Sequence, residues 1–418
     1  LPKQSARFRS VTHSNFCRRL VSSLPTFNRR GRSTVPDLAY CTNVHAGTNL
    51  KETVRNIETY APAVRNAFCP HEQLGIGLWL SAESARELEE QESTDLKAHL
   101  HSLGIDVLTM NGFPYGNFHA DIVKHDVYEP HWGDPRRLEY TLQLARLLTT
   151  LLPEGTSDAS ISTLPIGWRA SFSDESSIET AAHQIRQCAN ELHALHEDTG
   201  ICIHIDLEPE PGCVFDTADD VVTFFDRYLQ DDMYRDYVRV CHDICHSAVM
   251  FEPQTAALRT YREHGVKIGK IQVSSAIEIN FDECEDVDRS LQAYSQFVEN
   301  RYLHQTTIQN NGPIAFFDDL PDALQQHAPT GTWRTHFHVP IFSMGTELFS
   351  TTQKEIERCL ASIPETQPMP ILEVETYAWN VLPSCLYEGE GLSRGIAEEL
   401  MWLHDLLPRI RSSYEVEL

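Results

Sequence analysis

Several things are missing from this chain, and each absence removes a class of reading. The eleven cysteines include no CxxC pair. Odd in number and scattered, they suit a reducing compartment rather than a disulfide framework. No window approaches the uninterrupted apolar length of a membrane span. No GxGxxG follows the first expected strand and no phosphate-loop motif appears, so a nucleotide-binding Rossmann reading has little support. Repeats, low-complexity tracts and a second-domain linker are also missing. Positive charge is scarce, with thirty-four Lys and Arg against sixty Asp and Glu, a formal charge of −26. Residues 1–36 nevertheless hold eight of those bases and no acid, which leaves twenty-six bases against sixty acids, or −34, on the rest. So acidic a body repels polyanions, and no nucleic-acid partner is expected.

The Arg- and Ser-rich opening, residues 1–36, reads as a disordered tail, an organellar transit peptide or an over-long translation start. It is set apart from the fold. A cytoplasmic location is expected, or an organellar one if the opening is a targeting peptide. The remaining length, with 41% hydrophobic residues overall, suits one large domain over residues 37–410.

Within that domain, strands alternate with helices. Strand-like runs cover Asp37–Val44, Leu74–Leu80, Ile105–Met110, Ser160–Ile166, Ile201–Leu207, Tyr237–Cys241, Val266–Val273 and Met369–Glu375. Between them lie amphipathic stretches such as Leu50–Asn66, Ser177–His196 and Asp286–Tyr302. Eight such units predict a (β/α)8 TIM barrel rather than an open doubly wound sheet. The interval before the last strand, irregular over Ile314–Gly331 and strand-like over Thr332–Ile341, predicts an insertion between strands seven and eight.

The stretch ICIHIDLEPEPG, residues 201–212, gives the strongest chemical signal. A buried parallel strand there ends in Glu208 and Glu210, and barrel enzymes build their sites at that end of their strands. The pattern recurs. Strand six offers Asp243 and His246, strand seven Gln272, and strand eight Glu373 and Glu375. His336 and His338 project from one face of an extended segment. Carboxylates and imidazoles converging from separate strands predict a divalent-cation site, with Mn, Zn, Fe, Co or Mg as the ion. Pro209 separates the two glutamates, so Glu208 rather than Glu210 is expected to face the pocket.

The combination of LEPEPG, VCHDICHSA, IQVSS, HFHV and ILEVET resembles the xylose-isomerase-like TIM barrels, which include sugar isomerases, epimerases and endonuclease-IV-type hydrolases. The resemblance covers about Leu38 to Leu406 and looks most like the metabolite-traffic (Ebo) barrel proteins. It implies that Glu208, Asp243 and Glu375 bind a metal. It also implies that His246, His336 and His338 fall where endonuclease-type members hold an additional zinc. Gln272 stands where the family normally has His, and neither Asn111-Gly112 nor Pro165 supplies the histidines of a full trinuclear cluster.

The implied activity is metal-dependent isomerisation or epimerisation of a small polyhydroxylated metabolite, with Glu208 and Glu375 as proton-transfer groups. His45, Asn111, Tyr115, His119, Trp168, Arg169 and Trp379 are expected to meet substrate. A phosphoester hydrolase and a non-catalytic metabolite-binding barrel are the alternatives, and a homo-oligomer is left open.

Overall fold

The computed structural model describes residues 37–414, except 92, 365 and 388–390. The expected tail or targeting segment, residues 1–36, lies outside the described residues. Seven parallel strands come first: β1 (Leu38–Cys41), β2 (Leu74–Trp79), β3 (Ile105–Asn111), β4 (Asp158–Thr163), β5 (Cys202–Leu207), β6 (Val238–Asp243) and β7 (Ile268–Val273). The chain then builds β8 (Ile277–Asn280), β9 (Thr306–Gln309), β10 (Ala315–Phe317), β11 (Thr332–Thr335) and β12 (Ser350–Thr351), which form a separate sheet in the order β10-β9-β11-β8-β12. It returns as β13 (Ile371–Val374), which pairs in parallel with both β7 and β1 and closes an eight-stranded barrel. Leu38 sits opposite Leu372, and Ala39 opposite Gly75.

Local sequence explains most element limits. The helix Leu50–Phe68 starts where the Asn49 side chain accepts from Glu52 N, and it buries Leu50, Thr53, Ile57, Ala61 and Val64 on one face. The helix Glu175–Thr199 starts at Asp174 and stops at Gly200, whose φ of +73° is easy only for glycine. Two expectations shift. The helix expected over Asp286–Tyr302 covers only Val287–Tyr294 and ends in a tight turn at Ser295–Phe297. Phe297 and Tyr302 must both turn into a second apolar core, and the Glu299 carboxylate holds the following bend, residues 299–302, by accepting from Arg301 N and Tyr302 N. The strand-like run Thr332–Ile341 is a ladder only to Thr335, after which His336 N bonds to Gln305 O and Val339 N to Ser275 O.

The main apolar core lies between the barrel and its helices. The barrel interior is polar by contrast, although barrels of this kind are ordinarily filled by branched apolar side chains. Lys270 of β7 reaches Glu373 of β13 at 2.6 Å and Ser162 of β4 at 2.9 Å. Strands β4 and β7 are not neighbours, so that contact crosses the interior. Lys270, Ser162, Gln272 and Glu373 are all fully buried. Gly77 of β2 makes the room, because a Cβ there would collide with the Glu373 carboxylate.

An uncompensated buried charge costs more than its pair contributes. We therefore expect Lys270→Met to lower stability in urea denaturation by about 3–5 kcal/mol. Adding Glu373→Gln should recover most of that loss.

Candidate metal centre and cavity

The site is assembled at the C-terminal ends of the strands. Glu208 follows directly on β5, its backbone N bonded to Thr163 O at 3.0 Å. Asp243 ends β6 and caps the helix Ile244–Val249, its Oδ1 accepting from His246 N at 3.0 Å and from Ser274 Oγ at 2.7 Å. The DxxH spacing is thus a helix cap that sets acid and imidazole side by side. Glu375 follows β13, and its Oε1 accepts from Asn43 Nδ2 at 2.7 Å and Asn111 Nδ2 at 3.0 Å. One carboxylate oxygen from each of Glu208, Asp243 and Glu375 lies within 4.8 Å of the other two, and all three residues are buried.

Three histidines complete the floor, and their tautomers follow from their partners. A carbonyl can only accept, so His246 Nδ1 donates to Pro209 O at 2.9 Å and His338 Nδ1 donates to Glu375 O at 2.7 Å. Gln305 spends its amide nitrogen on Glu210 and Pro211, so His336 Nδ1 donates to Gln305 Oε1 at 2.8 Å. Each ring therefore presents an unprotonated Nε2, that of His336 lying 3.4 Å from Tyr377 OH. The Nε2 atoms of His246 and His336 face each other at 3.2 Å, and His338 Nε2 lies 3.8 Å from Asp243 Oδ2.

Electrostatics follow from burial. Burial first, then Glu375 and Asp243, pushes Glu208 well above the carboxylate range. Burial, with Asp243 and Glu373 adding to it, pushes Glu375 up to about 8. Burial opposes ionisation of Asp243, but His246, His338 and the bonds from Ser274 and His246 hold it below its usual value. Burial brings His338 down to about 4 and His336 well below the imidazole range.

The donor set fits a divalent cation. Glu208 Oε2, Asp243 Oδ2 and His338 Nε2 are buried without a hydrogen-bond partner. Unpaired acceptors of this kind are costly unless a cation or proton joins them. Glu208, Asp243 and Glu375 would hold it, with His338 adding the nitrogen. Gln272 turns elsewhere: oriented to donate, its amide nitrogen bonds Glu373 Oε2 at 3.1 Å and Glu373 O at 3.3 Å, and it does not line the cavity. Glu210 does line it, beside Glu208, and groups with His246 and His336 in a second cluster. Pro209 therefore does not turn it away.

Of the seven residues expected to meet substrate, Asn111 lines the cavity. The other six are not part of that lining. His45 stacks on Tyr60 and bonds Tyr40, while Tyr115 packs on Tyr140. His119 bonds Asn43 O, Trp168 stacks near Tyr128, Arg169 pairs with Asp216 and Trp379 bonds Glu399. Asn43 was not anticipated. The ladder of β1 ends at Cys41, so the side chain reaching the cavity comes two residues before His45.

The fold has solved counterparts. The structure of an L-ribulose 3-epimerase matches 91% of this chain and 98% of its own at 11% identity, with a TM-score of 0.51. A D-tagatose 3-epimerase-like protein matches 90% of this chain and 99% of its own at 10% identity, with a TM-score of 0.50. No family model and no curated protein matches the sequence.

Glu208→Gln and Asp243→Asn should each weaken binding of the first ion by more than the roughly 10–100-fold that losing an outer partner costs. Asn43→Ala should fall within that range, and Glu210→Gln should leave this ion in place. Metal content after dialysis against a metal buffer checks all four. At these identities the likeness defines architecture alone, and the chain shares the (β/α)8 TIM-barrel fold of those two solved structures.

Proposed function

We propose that the chain is a metal-dependent isomerase or epimerase of a small polyhydroxylated, sugar- or cyclitol-type metabolite. The observation that carries this reading is the trio Glu208, Asp243 and Glu375, whose ligand atoms lie within 4.8 Å of one another at the barrel's catalytic end. A divalent cation bound there supplies polarisation of a substrate carbonyl and its neighbouring hydroxyl. The rest falls to the chain's own residues. Glu208 and Glu375 come from different strands and line the same cavity. Carboxylates so placed take and return a proton at a substrate carbon. One takes the proton from the carbon beside the carbonyl, and the other delivers one to the enediolate so formed. Asn43 and Asn111 fix the Glu375 carboxylate through its Oε1.

A second reading draws on a separate observation. The unprotonated Nε2 atoms of His246 and His336, with Glu210 beside them, suit a second cation. Two ions would favour phosphoester hydrolysis over proton transfer at carbon.

The deciding experiment is metal stoichiometry combined with exchange. Mn²⁺-loaded protein should bind one ion per chain and incorporate solvent deuterium beside the carbonyl of at least one sugar in a ketose and aldose panel. Chelator should stop the exchange, and Glu208→Gln should abolish it. His338→Ala should lower metal content and exchange together. Two ions per chain, with cleavage of bis(p-nitrophenyl) phosphate and no exchange, would establish the hydrolase reading instead.

A further inference from the structure

The cavity above the acids has two unlike parts. Its floor is Glu208, Glu210, Glu375, the three histidines and the two asparagines, and Asn43 Oδ1 is a buried acceptor there without a partner. Its wall is mainly apolar and comes from two segments outside the barrel strands, with Tyr377 after β13 as a third contributor. The loop after β3 supplies Phe113, Phe118, Val123 and Val127, and the turn before β9 supplies Tyr302 and Leu303. The segments are tied together, because Val123 N and Lys124 N both donate to Arg301 O, at 2.7 and 2.9 Å.

The polar groups on this wall are already committed. Tyr128 OH donates to Glu210 Oε1 at 2.7 Å. Lys124, the sole Lys or Arg among the described lining residues, has its Nζ 2.5 Å from Asp319 Oδ2. Arg137 is fully buried and bonds the carbonyls of Pro130, Gly112 and Phe113, and Arg169 is held by Asp216. Arg137 Nη2 and Arg301 Nε are buried without a partner, but neither residue lines the cavity, Arg301 lying over the Tyr302 ring. A phosphate or carboxylate would therefore enter a pocket lined by carboxylates whose one lining cation, Lys124, is already paired, even with a dication on the floor. A hydroxyl turned toward Phe113, Phe118, Val123, Val127 and Leu303 would give up water and gain no partner, the tyrosine hydroxyls at the edge of this face excepted.

We propose that the substrate is an uncharged molecule with two ends: a hydroxy-ketone head for the floor, and an apolar body for the wall. This rests on the isomerase or epimerase reading and narrows its substrate class, from a fully hydroxylated or phosphorylated sugar to a polar head carrying an aliphatic or aromatic group.

Three probes share the head and differ in the body: hydroxyacetone, 2-hydroxyacetophenone and dihydroxyacetone phosphate. Each is titrated calorimetrically into Mn²⁺-loaded and metal-free protein. The phenyl compound should bind the loaded protein at least about tenfold tighter than hydroxyacetone, the gain for burying a surface of that size. The phosphate should bind no tighter than hydroxyacetone. Phe118→Leu, and independently Val127→Thr, which keeps the side-chain shape, should each cut the phenyl-to-methyl ratio several-fold. Tightest binding of the phosphate, or equal binding of the phenyl and methyl compounds, overturns the proposal. Equal phenyl binding with and without Mn²⁺ overturns the metal-dependent reading while the apolar subsite stands. Binding of none of the three overturns both.

Discussion

Charge balance inside the barrel is the constraint on which the rest of the structure depends. Glu208, Asp243, Glu373 and Glu375 are all buried toward one end of it, and Lys270 is the cation buried among them. One fixed positive charge does not neutralise four carboxyls. The fold accommodates the excess in three ways. Glu373 is paired outright with Lys270. Glu208 and Glu375 are driven toward their neutral forms. Asp243 stays ionisable because His246 and His338 stand beside it and because Ser274 and the His246 backbone N–H donate to it. The acids at the mouth are thereby left responsive to a proton or a cation, whereas the acid below them already has its counter-ion in Lys270.

The same economy governs the histidines. Each spends its Nδ1 on a fixed acceptor, two of them backbone carbonyls, so orientation and tautomer depend on the path of the main chain. Pro209 O aims His246 from the β5 side, while Glu375 O aims His338 from β13. A shift of either strand end would move a carboxylate and an imidazole together. The strand ends and the donor set therefore behave as one mechanical unit, and the loop-borne wall above them is free to differ in chemistry.

Much of the floor was legible in the sequence because strand ends are legible. An apolar run that stops at an acid gives both register and direction, as at Leu207–Glu208 and Val374–Glu375. The alternation of His336 and His338 survived even where the ladder did not, because the chain stays extended beyond Thr335. The wall was not legible. Residues 112–134 carry aromatic and polar side chains with no periodicity, and nothing local says which of Tyr115, Phe118 and His119 faces inward. Arg169 shows the same limit, since its partner Asp216 lies beyond a turn whose geometry the sequence does not display. Asn43 was obscured by a three-residue error in where β1 stops, at Cys41 rather than Val44, which is enough to exchange one side chain for another at the cavity.

Gly77 carries a consequence for how this barrel can vary. Its missing side chain is the space that the Glu373 carboxylate occupies, so the two positions are not independent variables. A larger residue at 77 demands a shorter one at 373, and a shorter one at 373 leaves Lys270 without its partner. Changes in this layer must arrive as compensating sets, which makes the inside of the barrel slow to drift while the loops around its mouth are not held in the same way.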